Sequence, residues 1–161
     1  MKTSIIYHSY SGNTRSVAEK VCDACGGDLV EVKPKSDYSR LTAYTLGCYR
    51  AMKGACDPIE LEEIDVSADD VIVIGTPVWA SRATPVVNAA VAALKGCRGK
   101  KAVIFATSGG KEGDTLPLLK EALEARGVKV TGEFVFDKTG VKDPARIDAM
   151  IAVVKTVGGS L

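Results

Sequence analysis

The chain has few of the residues that build metal centres and covalent frameworks. It contains one histidine, His8, and five cysteines at irregular spacings. An odd number of cysteines does not fit the disulfide framework of a small secreted protein. Cys22 and Cys25 have C-x-x-C spacing, but they lie inside a predicted helix and no second pair completes a zinc site. We therefore expect thiols that are buried or idle, and no metal site.

A strong charge of one sign and long apolar runs are lacking too. Lysine and arginine number 21 against 20 acidic residues, so the formal net charge is +1. This balance gives no general attraction to nucleic acid or to an anionic membrane. No apolar run approaches the roughly 20 residues of a membrane span, and the N-terminus enters a strand without a signal sequence. We expect a cytoplasmic protein with one domain over residues 1–161.

Five apolar runs have the length expected of β-strands. They cover residues 4–7, 29–32, 71–74, 102–106 and 128–136. The third and fourth are continuously apolar and rich in valine and isoleucine, which is typical of strands buried on both faces. Helical patterns alternate with these runs. The sequence therefore predicts an α/β protein of three layers, α/β/α, with a five-stranded parallel sheet of order 2-1-3-4-5.

Capping residues mark the starts of several predicted helices. Thr84-Pro85 and Asp143-Pro144 each place a capping side chain before a proline, which is favoured at the first helical position. The pattern is weaker between the second and third strands. We expect one helix there, over residues 43–53, with Leu46 and Tyr49 on its inner face.

The turn after the first strand concentrates hydrogen-bond donors. Residues 9–14 read Ser-Tyr-Ser-Gly-Asn-Thr. The hydroxyls of Ser9, Ser11 and Thr14 and the backbone N–H groups of a helix start would converge there on one anion. No lysine or arginine lies within residues 4–14, so neutral donors and the helix dipole would hold a phosphomonoester. The turn matches neither a Walker A loop nor a dinucleotide fingerprint. A capped helix start without a ligand is the alternative.

Two further loops belong to the same predicted edge of the sheet. The third strand is followed by Gly-Thr-Pro-Val-Trp, which ends at Trp79, the only tryptophan. An indole at a ligand-binding edge is suited to stacking on a flat heterocycle, with core packing as the alternative. The fourth strand is followed by residues 107–113, where glycines would let the backbone approach a ring edge. A flexible turn is the alternative for that loop.

These three loops, in this order, resemble those of the flavodoxin family over residues 2 to about 155. The resemblance implies flavin mononucleotide (FMN) as the cofactor. It implies a phosphate site made by Ser9, Tyr10, Ser11, Gly12, Asn13 and Thr14, with Tyr10 and Gly12 contributing backbone contacts. It implies that Thr76 and Pro77 line the ribityl chain, that Trp79 covers one face of the isoalloxazine, and that Val78 and Ala80 complete this loop. The pyrimidine edge would meet Ser108, Gly109 and Gly110.

The chain departs from the family pattern at three points. No aromatic residue lies within residues 107–113, so the second flavin face is open or is covered by Tyr38 or Tyr44. Ala80 stands where many members have glycine, and a positive φ costs alanine roughly 1 kcal/mol more, which would weaken stabilisation of the neutral semiquinone. The charge is nearly neutral, whereas typical members are acidic.

The resemblance implies an electron carrier that works between redox proteins, a reductase and an acceptor, with no acid–base catalytic residue. The alternative is an FMN-dependent NAD(P)H or quinone oxidoreductase, which an open flavin face and a weakly basic rim would suit. The residues of that rim are Lys33, Lys35, Arg82 and Lys111. A binding module that keeps the fold without flavin is a third possibility. We expect a monomer or weak dimer that binds neither nucleic acid nor membrane.

Overall fold

The computed structural model describes residues 1–159, and its centre is a parallel β-sheet. The five strands are β1 (Thr3–Tyr7), β2 (Asp28–Glu31), β3 (Val71–Trp79), β4 (Lys101–Thr107) and β5 (Lys129–Phe136). Strand β1 lies between β2 and β3, and β4 separates β3 from β5. The order across the sheet is therefore 2-1-3-4-5, which confirms the predicted topology.

Four helices cover the two faces of the sheet. They are α1 (Asn13–Cys25), α2 (Pro85–Ala93), α3 (Thr115–Ala125) and α4 (Pro144–Gly159). Helices α1 and α4 share one apolar core with the sheet, and α2 and α3 share the other. The predicted cap of α2 is present, since the Thr84 hydroxyl accepts a hydrogen bond from Val87 N–H at 3.3 Å. No helix within residues 1–159 has the length and apolarity needed to cross a bilayer.

The two central strands are the most deeply buried part of the sheet. Residues 71–76 of β3 and 102–107 of β4 are buried throughout, as their continuous apolar pattern predicts. Gly75 is required where these strands meet, because a Cβ atom there would lie 2.2 Å from Cζ of Phe105. This close fit holds the carboxyl ends of β3 and β4 in a fixed position.

Strand β3 is longer than predicted. It continues beyond Ile74 to Trp79, so the expected loop is instead the last part of a strand. The cause is a hairpin in which Val78 pairs with Ala83 and Trp79 with Arg82. The two residues of its turn, Ala80 and Ser81, have φ angles of 50° and 62°. Positive φ at both central positions is the geometry that twists a two-residue turn to match its strands.

The predicted helix over residues 43–53 is wrong in its regularity and in its orientation. Residues 40–52, here called the irregular helix, comprise a single turn (Arg40–Thr42), a π-helical stretch (Ala43–Gly47) and a short α-helix (Cys48–Met52). Leu46 and Tyr49 point outward and are 53% and 55% exposed. The inner face is formed by small residues because Trp79 lies directly beneath it. A Cβ atom on Gly47 would lie 2.7 Å from Cζ3 of that indole.

Candidate functional site

The three predicted loops meet at the carboxyl edge of the sheet. A hydrogen bond of 2.7 Å between the Thr14 and Thr107 hydroxyls joins the loop after β1 to the end of β4. Asp114 N–H donates to the carbonyl of Ser81 at 3.1 Å, which joins the hairpin to the loop after β4. The site is therefore a single connected surface.

The turn before α1 directs several donors to one point. Gly12 has a φ of 94° and precedes the first residue of α1, and no side chain caps the helix from this position. The Ser9 hydroxyl accepts from Gly12 N–H at 3.1 Å and from Arg15 N–H at 3.2 Å. Two backbone N–H groups thus converge on one oxygen at the positive end of a helix of 13 residues. The same arrangement binds phosphate and carboxylate groups elsewhere.

The other residues of this turn differ in how they are presented. Thr14 is only 1% exposed and its hydroxyl lies inside the site, paired with Thr107. When Thr107 donates in this pair, the hydroxyl hydrogen of Thr14 is free to donate to an anion. Ser11 and Asn13 are exposed, and Tyr10 is 43% exposed beside them. The turn therefore offers hydroxyl and backbone donors without a lysine.

Arg15 is a cation next to this turn, and its guanidinium is paired with a carboxylate. Its guanidinium forms an ion pair with Glu31 at the end of β2. It also hydrogen-bonds the buried Tyr7, whose pKa is raised mainly by burial. Binding of an anion at this turn by neutral donors alone remains a prediction.

The residues predicted in the second loop differ in how far their side chains are exposed to solvent. Thr76 is fully buried, and its hydroxyl accepts from Thr84 N–H at 3.3 Å while donating to the carbonyl of Pro77 at 2.8 Å. This hydroxyl is engaged within the chain. Pro77 and Val78 are partly buried, and Ala80 is exposed at the hairpin turn. These three residues form the surface of the second loop.

Trp79 lies at the centre of an aromatic cluster. Its side chain is only 9% exposed. The rings of His8, Tyr10 and Tyr38 pack edge-to-face against it, with centroid distances of 5.9, 5.7 and 5.2 Å. The irregular helix covers it from one side. The indole is thus at the sheet edge, as predicted, but it is packed among neighbours, and its stacking on a ligand remains a prediction.

His8 is a buried, neutral residue beside the anion site. It is 5% exposed, and its Nδ1 atom lies 2.9 Å from the Thr84 hydroxyl. Burial lowers the pKa of its imidazole to about 4. The side chain is therefore uncharged at neutral pH, as expected of a structural histidine.

The third loop is unobstructed at Gly109 and Gly110 and closely packed at Gly113. Ser108 is 8% exposed, and its hydroxyl accepts from Gly110 N–H at 3.1 Å. A Cβ atom on Gly110 would meet no atom within 4 Å, and one on Gly109 would approach only Lys138, at 3.7 Å. Gly113 is different. Its φ is 56°, and a Cβ atom there would lie 2.3 Å from Cβ of Ser81.

One group of interactions at the site was missed by the sequence analysis. Asp57 is 8% exposed, accepts from Arg50 Nε at 2.7 Å and also accepts from the Tyr38 hydroxyl. Burial, followed by this hydrogen bond, raises the pKa of Tyr38 to about 12. The group fixes the irregular helix against Trp79. Tyr38, one of the two residues proposed to cover a ligand ring, is held by these contacts, whereas Tyr44 is 76% exposed on the outer side.

Comparisons with known proteins identify the family. The flavodoxin family model matches residues 2–126. A flavoprotein from Lactobacillus acidophilus NCFM, solved in complex with FMN, is 27% identical with a TM-score of 0.72, over 88% of this chain and 96% of that one. The two-electron reduced flavodoxin of Megasphaera elsdenii shares the fold, with 22% identity and a TM-score of 0.63 over 95% of this chain and 98% of that one. No curated protein sequence matches significantly. This chain belongs to the flavodoxin family.

Proposed function

We propose that this protein binds FMN without covalent attachment and carries electrons between redox proteins. The main support is the convergence of Gly12 N–H and Arg15 N–H on one oxygen position at the start of α1, next to the hydroxyl of Thr14. A phosphate tail needs such donors, and the flavoprotein from Lactobacillus acidophilus that resembles this chain is in complex with FMN.

The donor set fits the phosphate of FMN. Ser9, Ser11 and Thr14 supply hydroxyls, and Gly12 and Asn13 supply backbone N–H groups at the helix start. The hydroxyl oxygen of Ser9 accepts hydrogen bonds from two N–H groups. A bound phosphate oxygen would replace this hydroxyl as their acceptor. The helix dipole adds attraction for the negative charge, by about 0.3–1 kcal/mol at an exposed site. Tyr10 would contribute its backbone.

The remaining loops fit the flat part of the cofactor. Pro77, Val78 and Ala80 would line one side, and Trp79 would give aromatic surface beside them. Ser108, Gly109 and Gly110 would meet the polar ring edge with backbone atoms, since no side chain obstructs Gly110. FMN supplies the electron chemistry when bound, while the protein binds it, orients it and tunes its environment.

The carrier interpretation is favoured over an acid–base enzyme by the state of His8. This imidazole is buried, bonded to Thr84 and has a pKa lowered to about 4. Such a group is poorly matched to general acid–base catalysis near neutral pH, which works best with a pKa close to the operating pH. Transfer of electrons between proteins needs no such residue.

The phosphate assignment is tested at Thr14. We predict that Thr14→Ala weakens FMN binding by about 1.5–3 kcal/mol, or roughly 10- to 150-fold, because a hydrogen bond to a charged group is lost. Riboflavin, which lacks the phosphate, should lose little affinity. Fluorescence titration with both flavins measures this, and Thr14→Ser, which keeps the hydroxyl, is the control. An equal loss for both flavins would reject the phosphate role.

A second function, an FMN-dependent NAD(P)H or quinone oxidoreductase, is favoured by the charges around the third loop. Lys138 approaches Gly109, while Lys111 is exposed in the same loop and Arg82 is partly exposed in the hairpin. Such cations suit a nicotinamide phosphate. Repeated turnover of a quinone with NADPH by the purified FMN-loaded protein alone would select this function. Slow reduction of the bound flavin by NADPH alone, together with rapid electron transfer from a partner reductase, would select the carrier.

A further inference from the structure

The outer face of the irregular helix is apolar. Within residues 1–159 nine large apolar side chains are exposed, and five of them lie on this short segment, so exposed apolar residues are concentrated there. We call these five the outer patch: Leu41 (73% exposed), Tyr44 (76%), Leu46 (53%), Tyr49 (55%) and Met52 (52%). Exposed apolar clusters of this kind mark interaction surfaces.

The exposure of the outer patch is built into the fold. The opposite face of the irregular helix consists of Ala43, Gly47 and Ala51, all of them buried, and Gly47 leaves no room for a larger side chain against Trp79. The helix therefore cannot turn its large apolar residues inward without losing this contact. The ion pair between Arg50 and Asp57 holds it in the same orientation.

The charged residues of the irregular helix and of the position that follows it are all positive. Arg40 begins the irregular helix and Lys53 follows it, with the ammonium of Lys53 lying 5.7 Å from the ring centre of Tyr49. Residues 38–56 contain no carboxylate. The flanking acids are Asp37 and Asp57, and the charge of Asp57 is balanced by Arg50. A partner that fits this surface therefore needs apolar residues surrounded by negative charge.

We propose that the outer patch is the docking surface for an electron-transfer protein whose contact face is apolar with an acidic rim. This inference rests on the proposed carrier function and adds the surface and the kind of partner. Tyrosine and methionine, which make up three of the five patch residues, are among the residue types enriched in protein–protein contacts. A partner docked here would be separated from Trp79, and so from the candidate cofactor site, by the thickness of one helix.

Two other occupants fit less well. A second copy related by two-fold symmetry would bring Arg40 and Lys53 against the same cations, which is unfavourable. An anionic membrane surface is recognised by clusters of about four to eight cations, and Arg40 and Lys53 are too few. An acidic protein surface satisfies both the charge and the composition of the patch.

The charge requirement is tested with two forms of one acceptor. Native cytochrome c is basic, and its succinylated form is acidic. The FMN-loaded protein is photoreduced with an added tertiary amine as the sacrificial electron donor, which is oxidised in that step. Each electron then transferred to cytochrome c reduces one ferric haem and oxidises the flavin by one electron. At low ionic strength, Arg40→Glu with Lys53→Glu should slow reduction of the acidic form about tenfold and accelerate that of the native form. Lys129→Glu with Lys155→Glu changes the net charge equally at exposed sites elsewhere, and should alter either rate by no more than about twofold.

The apolar requirement is tested by Leu41→Ser combined with Met52→Ser, which leaves Tyr44 in place. Both side chains are largely exposed, so we expect folding and FMN content to be retained. Reduction of the acidic acceptor should slow about fivefold at all ionic strengths, the loss typical of an interface residue. Leu29→Ser is the matched control, since Leu29 is 40% exposed on β2, away from the patch.

The outcomes separate this inference from the proposed function. If the variants reduce a small uncharged quinone like the wild type but lose rate with the acidic protein, the docking surface is supported. Equal rates for patch and control variants would reject the surface alone. Failure of the wild type to bind FMN or to reduce either cytochrome would reject the carrier function as well. Self-association of the wild type in sedimentation that Leu41→Ser with Met52→Ser abolishes would reject the acidic partner in favour of a second copy of this chain. Cosedimentation of the wild type with phosphatidylserine vesicles would reject it in favour of a membrane.

Discussion

His8 shows how one side chain links the core to the ligand edge. Its imidazole packs edge-to-face on Trp79 at a centroid distance of 5.9 Å and lies within hydrogen-bond distance of Thr84, the capping residue of α2. Burial keeps it neutral, because a charged imidazole would lose its hydration. The folded protein therefore takes up a proton at this site less readily than the unfolded chain.

This difference gives a prediction for stability against pH. The ordinary pKa of 6.5 applies in the unfolded chain and falls to about 4 on folding. The contribution of neutral His8 is complete above pH 6.5 and is lost as the pH falls toward 4. We expect the free energy of unfolding to drop by about 2 kcal/mol between about pH 7.5 and pH 5 from this group. The unfolding free energy is measured by urea denaturation over this pH range for the flavin-free protein and for its His8→Asn variant. The drop assigned to His8 should be missing in the variant. An equal dependence of unfolding free energy on pH in both proteins would contradict the prediction.

Gly113 gives a second prediction at the residue scale. It has positive φ and packs against Ser81, so Gly113→Ala adds both backbone strain and a steric overlap. We expect a loss of about 1–3 kcal/mol in unfolding free energy. Gly110→Ala is the control, because Gly110 has open space and no positive φ, and it should change stability by no more than about 0.5 kcal/mol. Thermal unfolding that ranks the two variants equally would show that the third loop does not support the hairpin.

At the scale of elements, the irregular helix shows where periodicity misleads. Large apolar residues such as Leu46 and Tyr49 are expected on the inner face of a helix, since burial of apolar area is favourable. Here the space above Trp79 accepts only small side chains, and packing decides the orientation. The sequence could not reveal this, because Trp79 comes 32 residues after Gly47 along the chain (79 − 47).

The attachment of the irregular helix can be tested at Asp57. Replacing this buried carboxylate in Asp57→Asn weakens its bonds to Arg50 and Tyr38. We expect a loss of about 1–2 kcal/mol, moderated because Arg50 can reach solvent, and faster amide hydrogen exchange in residues 43–52. Trp79 fluorescence should shift to longer wavelength as the helix opens. Asp37→Asn, at an exposed site, should leave both signals unchanged. Unchanged exchange in Asp57→Asn would mean that Ala43, Gly47 and Ala51 hold the helix alone.

At the scale of the molecule, the sequence was sufficient for the topology and insufficient for the details of the site. Buried strands β3 and β4 have continuous apolar runs, and crossover rules leave few orders for five parallel strands. The cluster of donors in the turn before α1 was predictable as well, because these donors are neighbours along the chain, while its binding of an anion stays a prediction. The bond between Thr14 and Thr107 and the aromatic cluster around Trp79 were not, since they join residues distant in sequence.

The pairing of Thr14 with Thr107 also has a consequence for biosynthesis. The two residues are 93 positions apart, so the ribosome completes the first long before it reaches the second. A nascent chain that ends before β4 carries the turn after β1 without the partner hydroxyl of Thr14. The candidate site is therefore complete only after β4 has been synthesised, and the proposed binding of FMN would follow that step.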